Sequence, residues 1–393
     1  MNLTLAAYLS AETDNGRGIL RGIAEFARRH PKIHVVRFAK SRPLDPVAVR
    51  ALGVDGVIAT LSSAAEARDI RALGLPLVNV TGECHLPGVP SVRTDDLLVG
   101  RWAARYFHSR GFRHLAYCDN TAYEGSRLRG LALREAARES GMSYRRMVFS
   151  SGRLTERTPR RTLAQLGRWA RLLPRPAGVF VSSDVVCHFL MEACEEAGLR
   201  LPEDLSLLSV AVDSTRLAFA PTGISSIELN TTRIGVLACE TLLKLIRGRR
   251  PRELVTLVPP RKIVTRHSSD RFAVDDELAA RALDYIREHA GNPIGVNDVL
   301  AAVQCSRRLL EVRFRAATGR SPYAEIQRQH FARAVQLMGE PEHRLGEIAY
   351  AAGFRNARHL SLAFRAKLNT TPSRFRARLL AGERPAGDDP WLY

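Results

Sequence analysis

The stretch from residue 345 to 365 leaves this chain few ways to fold. Apolar residues fall at Leu345, Ile348, Ala349 and Ala352, one stripe along a helix. Gly353 follows where a left-handed residue closes a helix. A second stripe then runs through Leu360, Ala363 and Phe364. The pattern predicts helix, tight turn, helix. The same grammar occurs upstream. Val296–Val303 reads as a short striped helix, Gln304, Cys305 and Ser306 as the turn, and Arg307–Ala317 as the next helix. Ser306 is its N-cap and Gly319 its stop. Between the two units, residues 322–339 read as one longer helix, with Ile326, Phe331, Ala334, Val335 and Met338 on its apolar side.

Two such units joined by a helix resemble the DNA-binding domain of the AraC family of transcription regulators. The likeness rests on Ser306, Leu310, Phe314, Gly319 and Pro322 in the first unit. In the second it rests on Ile348, Ala349, Gly353, Phe354, Leu360, Phe364, Arg365, Thr371, Pro372, Phe375 and Arg376. It implies operator DNA as a partner, with the second helix of each unit in a major groove. Side chains on the exposed start of such a helix read base edges. Arg307, Arg308 and Glu311 fit that role in the first unit, and Arg358, His359 and Ser361 in the second. Arg355, Arg365 and Arg374 fit phosphate contacts, which position without specifying. A merely solvated basic face is the plain alternative for each. Val312 departs from the family, where a basic residue is common, and a thymine methyl contact is the alternative there.

The bulk properties agree without deciding. The 393 residues carry a net charge of +19, which suits a polyanionic partner. Residues 271–393 hold 19 basic and 14 acidic side chains, so most of the excess lies earlier. The local count from 305 to 378 is 15 basic against 5 acidic, concentrated on the second helices. No apolar run is long enough to span a membrane, and the start shows no secretory signal. The six cysteines, at 84, 118, 187, 194, 239 and 305, show no metal spacing and suit a reducing cytoplasm. No nucleophile elbow, phosphate-binding Gly-Lys-Ser/Thr loop or His-Glu-Xaa-Xaa-His occurs. The expectation is a chain that is not an enzyme and takes no cofactor or metal.

The first 260 or so residues alternate strand and helix. Strands are expected at 3–9, 34–38, 54–59, 77–80, 114–118, 146–149, 178–181 and 205–210. Helices are expected at 18–28, 64–73, 96–109, 126–139, 159–172, 185–197 and 231–247. Such alternation predicts doubly wound parallel sheets, and the length suits two lobes. Lobe one is expected to be residues 1–108 plus a return near 234–265. The strand-like Lys262–Thr265 closes this part, and Asp275 or Asp276 caps the first helix of the next. The division expected is a sensor over 1–269, a DNA-binding domain over 270–381 and a mobile tail over 382–393.

Several stretches resemble the effector domain of the LacI family, built like periplasmic sugar-binding proteins. They are Pro202–Ser206, Val210–Asp213, Pro221–Ile227 with Ile234 and Gly235, Arg127 to Gly130, and Ser183 with Asp184. The likeness implies a cleft between two lobes. Sugar hydroxyls are bridged by carboxylates, amides and guanidinium groups, at the carboxyl ends of parallel strands. Asp14, Asn15, Arg127, Asp184 and Asp213 stand at such places. Each has a plainer reading: Asp14 as a helix cap, Arg127 as a solvated helix residue, Asp184 as an N-cap, Asp213 as a turn residue. Asp95 reads as a cap for helix 96–109. Tyr8, Tyr123 and Phe219 are candidate stacking aromatics or ordinary packing.

A LacI-like sensor ahead of an AraC-like reader resembles the family of xylose operon regulators of enteric bacteria. The likeness includes the junction Val258, Pro259, Pro260, Arg261, Val264, Arg266, Ser268 and Asp270. It implies a sugar-responsive activator, D-xylose as first effector, a homodimer, and RNA polymerase as a further partner. Another pentose, a hexose or a uronic acid is the open alternative for the effector. A cytoplasmic sugar-binding protein whose helical tail binds protein is the alternative of another class.

Overall fold

The computed structural model describes residues 2–82, 84, 86–119, 124–148, 160–210, 223–249, 251–274, 276–339 and 343–380. The chain opens with β1 (Leu3–Leu9), α1 (Asp14–Arg29), β2 (Ile33–Ala39), α2 (Pro46–Ala51), β3 (Gly56–Ala59), α3 (Ala64–Arg71), β4 (Leu77–Asn79) and β5 (Ser91–Thr94). It continues with α4 (Asp96–Ser109), β6 (His114–Asp119), α5 (Glu124–Glu139), β7 (Ser143–Val148), α6 (Arg160–Arg171), β8 (Ala177–Val181), α7 (Asp184–Glu196) and β9 (Leu205–Val210). Then come β10 (Ser225–Glu228), α8 (Thr231–Ile246), β11 (Val255–Val258) and β12 (Lys262–Val264).

These strands form two six-stranded sheets, ordered β11-β5-β4-β3-β1-β2 and β12-β10-β9-β8-β6-β7. All pairs are parallel except β12 against β10. The chain passes between lobes three times: after Thr94, after Glu228 and after Val258. The lobe boundary therefore differs from the expected one. Trp102 and Phe107 of α4 pack with Tyr117 and Phe180, so α4 belongs to lobe two, as does β12. The return to lobe one is α8 with β11. Helix α8 lies on α1 backbone to backbone: a Cβ at Gly22 would meet Thr232 O at 2.0 Å, and one at Gly235 would meet Ile19 O at 2.2 Å.

The third part is helical: α9 (Glu277–Glu288), α10 (Val296–Val303), α11 (Arg307–Thr318), α12 (Pro322–Met338), α13 (Leu345–Ala351), α14 (Ala357–Leu368) and α15 (Pro372–Leu380). Its caps follow the chemistry of the sequence. Asp276 accepts from Ala279 N at 2.9 Å, Ser306 from Leu309 N at 3.3 Å and Asn356 from His359 N at 3.0 Å. Two cores result. Leu310, Phe314 and Ile326 close the first with α9 and α10, and Phe331, Ile348, Leu360, Phe364 and Phe375 close the second. Helix α12 contributes to both, so it holds the two units at a set distance. Gly353, at φ +79°, ends α13 in the left-handed region, hard against His330 and Asn292 O.

The helical part docks on lobe two and on a lobe crossing. Ala273 N donates to Arg110 O at 2.8 Å, and the hydroxyls of Tyr106 and Ser269 lie 2.6 Å apart. Arg287 pairs with Asp270 at 2.7 Å. Arg261, in the last crossing, donates to Gly339 O at the end of α12.

Candidate effector cleft and nucleic-acid face

The carboxyl ends of both sheets meet where the chain crosses, and polar side chains gather there. Asp95 caps α4, accepting from Leu98 N at 3.0 Å. This aims the next carboxylate, Asp96, 7% exposed, across to Arg129 on α5, whose Nε donates to it at 2.7 Å. Arg129 Nη1 also donates to Ser182 O at 3.3 Å, at the end of β8. The Ser182 hydroxyl is buried and makes no hydrogen bond among the described residues. An unpaired buried hydroxyl is costly unless something accepts or donates there. Asp119, fully buried at the end of β6, accepts from Ser126 Oγ at 2.9 Å and from Arg146 Nη2 at 3.3 Å. Arg93, at the end of β5 in lobe one, has a buried Nε with no hydrogen-bond partner among the described residues. Glu124 of lobe two is held below the usual carboxylate range by Arg127's hydrogen bonds, with Arg93's charge adding to the effect. Cations, carboxylates and a free hydroxyl thus gather at the carboxyl end of lobe two's sheet, with Arg93 of lobe one in electrostatic reach of Glu124, the chemistry that bridges neighbouring sugar hydroxyls.

The sequence candidates fall variously. Asp14 stands in the first turn of α1 beside Arg17, at 3.7 Å, and Asn15 next to it is exposed. Thr13 is the cap there, accepting from Gly16 N at 3.1 Å, so the cap reading of Asp14 is replaced. Arg127 is 57% exposed and its guanidinium is taken by Glu124 at 2.7 and 2.8 Å. The more sheltered guanidinium is that of Arg129, two residues on and 15% exposed. Asp184 opens α7 beside Ser182, while Ser183 is the cap, accepting from Val186 N at 3.4 Å. Tyr8 is 2% exposed and donates to Arg42 O at 2.8 Å, which makes it core. Asp213, Tyr123, Phe219 and residues 382–393 lie outside the described residues. Asp96, Arg129 and Ser182 are not among the residues that the sequence singles out. Only the bulky buried face of α4 and the strand end at Val181 hinted at them.

The nucleic-acid face is built from α11 and α14. Their buried stripes, Leu310 with Phe314 and Leu360 with Phe364, turn the opposite side outward. Arg307, Arg308, Arg355, Arg358 and His359 are exposed, and Glu311 is half-buried. Ser361 donates to Ala357 O at 3.0 Å, so its hydroxyl keeps only acceptor capacity toward a base. Arg365 and Arg374 are exposed as phosphate contacts require. Val312, 62% exposed, and Leu362, 54% exposed, occupy the same place on the two helices. An apolar side chain so placed suits a thymine methyl. Arg313, by contrast, is tied to Asp276 at 2.7 Å.

Known proteins resemble the chain in the same two parts. A family model for a periplasmic binding protein-like domain matches residues 104–269, and one for a helix-turn-helix domain matches residues 299–378. The xylose operon regulatory protein of Escherichia coli K12 is 26% identical over 330 residues, spanning 82% of this chain and 83% of its own. That of Haemophilus influenzae is 24% identical over 335 residues, spanning 84% and 86%. The solved structure of the xylose-binding transcription activator xylR aligns with a TM-score of 0.60 at 22% identity, covering 95% of this chain and 97% of that one. The chain is a sensor–reader fusion like the xylose operon regulators. In this fusion the first model match begins inside α4, the element that the structure assigns to lobe two. The second begins inside α10 and ends inside α15, and so takes in both helix-turn-helix units. No helix among the described residues is long and apolar enough to cross a membrane.

Proposed function

We propose that the chain is a sugar-responsive, DNA-binding transcription regulator, with residues 1–269 as the sensor and 270–381 as the reader. The effector is a small aldose, D-xylose first, held between the lobes by Asp96, Arg129, Ser182 and Asp184, with Asp14 and Asn15 facing them from lobe one. Operator DNA is read by Arg307, Arg308 and Glu311 and by Arg358, His359 and Ser361, with Arg355 on the backbone. The working unit is a cytoplasmic homodimer paired through its sensors. As an activator it contacts RNA polymerase.

The observation that carries this reading is the contact of Arg261 with Gly339. It joins a lobe crossing to the end of the helix that spans both reading units. A sugar that binds the closed cleft more tightly shifts the lobe equilibrium toward closure. Closure turns the crossings, and Arg261 passes that turn to α12. The experiment is a gel shift of the full chain on its operator, with and without each of a panel of monosaccharides, at stated salt. A sugar that raises both thermal stability and operator affinity supports the reading. Binding to DNA without sequence preference, or a panel in which no sugar changes either readout, overturns it.

A further inference from the structure

A second place in the molecule is built to hold a ligand, away from the lobe cleft. At the joint between lobe two and the helical part lies a cavity of about 300 Å³. One wall is the end of α4 and the turn into β6. The other is α9, the end of α11 and the start of α12. The volume is at the lower end of small-ligand pockets.

The charge of its walls is lopsided. His108, Arg110, Arg113 and Arg320 line it, against one carboxylate, Glu325. That carboxylate is already engaged: Arg328 reaches it at 2.6 Å and Arg320 at 3.2 Å. Arg110 lies 3.6 Å over the Tyr106 ring and donates to Thr265 Oγ1 at 3.1 Å, so its hydrogen bonds go to neutral oxygens. Arg113 is exposed at the rim and has no ion-pair partner among the described residues. Burial pulls Arg320 below its ordinary value, with Arg328's charge adding to the pull. Burial, then Arg320's charge, does the same to His108. Three guanidinium groups line a partly buried cavity with one carboxylate that is already shared with Arg328, and an anion inside would satisfy them.

We propose that this cavity binds a compact phosphate, free or as a monoester of a small molecule. The guanidinium fork pairs with carboxylate and phosphate oxygens alike, and against three such groups the higher charge and third acceptor oxygen of phosphate favour it over a singly charged carboxylate. Because the walls come from lobe two and from the helical part, the occupant ties sensor to reader. It is an input separate from the cleft, whichever sugar the cleft takes.

The test uses the full chain, freed of phosphate, in a thermal shift and a calorimetric titration. The probes are inorganic phosphate and glycerol phosphate, each set against chloride at matched ionic strength. The expected result is a phosphate-specific rise in Tm. In Arg113→Gln and in Arg320→Gln that binding weakens by about tenfold or more, the loss of a charge-assisted hydrogen bond. Arg358→Ala, on the nucleic-acid face, keeps it. The two probes separate free anion from ester by which binds more tightly. Equal effects of phosphate and chloride overturn the proposal. So does binding that survives both cavity variants and disappears in Arg358→Ala, since the phosphate then sits on the recognition helices.

Discussion

Arg261 Nη2 donates to Gly339 O at 3.3 Å, and Arg261 Nη1 lies 3.9 Å from Glu228 Oε2. One side chain therefore touches two of the three lobe crossings' flanks and the helix that joins the reading units. Removing it is expected to leave sugar affinity within about twofold and to abolish the sugar's effect on DNA. Couplings of this kind are typically about 1–3 kcal/mol, or 5- to 150-fold. In Arg261→Ala the ratio of operator affinities with and without sugar should fall toward one. Calorimetry and the gel shift measure the two parts separately. An unchanged ratio removes Arg261 from the path.

Ser182→Ala tests the cleft gently. The hydroxyl is buried and unpaired within the described chain, so its loss costs the fold little. A neutral hydrogen bond to a sugar hydroxyl contributes about 0.5–1.5 kcal/mol. Sugar affinity is expected to fall by up to about tenfold in Ser182→Ala and to stay unchanged in Arg127→Ala. The opposite order would move the site out toward the α5 surface.

Gly353→Ala should be severe. An added Cβ would meet His330 Nε2 at 2.6 Å and Asn292 O at 2.7 Å, on a backbone at φ +79°. Left-handed strain and overpacking together are expected to cost about 2–4 kcal/mol. Chemical denaturation followed by circular dichroism should show the helical part melting first. DNA binding should be lost while the sugar-induced thermal shift survives.

Arg358→Ala and Arg365→Ala should differ in kind. A base-reading Arg358 costs about 1–3 kcal/mol on the operator and relaxes preference at one position. A phosphate-contacting Arg365 weakens all sequences alike and lowers the salt slope by about one. Binding isotherms on operator and scrambled DNA, each at several salt concentrations, separate the two.

Lys367 gives the reader a pH signature. Burial, with Arg328's charge behind it, brings its ammonium down from 10.5 to about 8. Below pH 8 it is charged in folded and unfolded chains alike, and the fold bears the full penalty. Between about 8 and 10.5 the unfolded chain binds more protons, so stability rises with pH through that window. Relative to Lys367→Met, the wild-type Tm should climb between pH 8 and 10. A flat difference across that range would place Lys367 in water.

The reading units were legible because their determinants are local. Gly319, Gly353, Ser306 and Asp276 announce their turns and caps within four residues of the bonds they make. The sensor was legible as alternation, but its lobes were not. The stripe on α4 shows that Trp102 and Phe107 are buried without saying against which sheet. Strands β10 and β11, four residues each, are too short for their alternation to stand out. The cleft was the least legible part. Arg129 meets Asp96 across 33 residues and Ser182 across 53, and no local pattern encodes that meeting. Arg127 carried the signal expected of a ligand-binding arginine, yet its neighbour Glu124 takes it up.

The three passages between lobes decide how such a protein can be rebuilt. Lobe one is stitched from β1–β5, α8 and β11, and lobe two from the stretches between and after them. No single cut frees either half with its core whole. Only the helical end is one uninterrupted run of chain. Recombination can therefore trade the reader for another in one step, whereas a new sensor must be inherited entire or altered residue by residue in place.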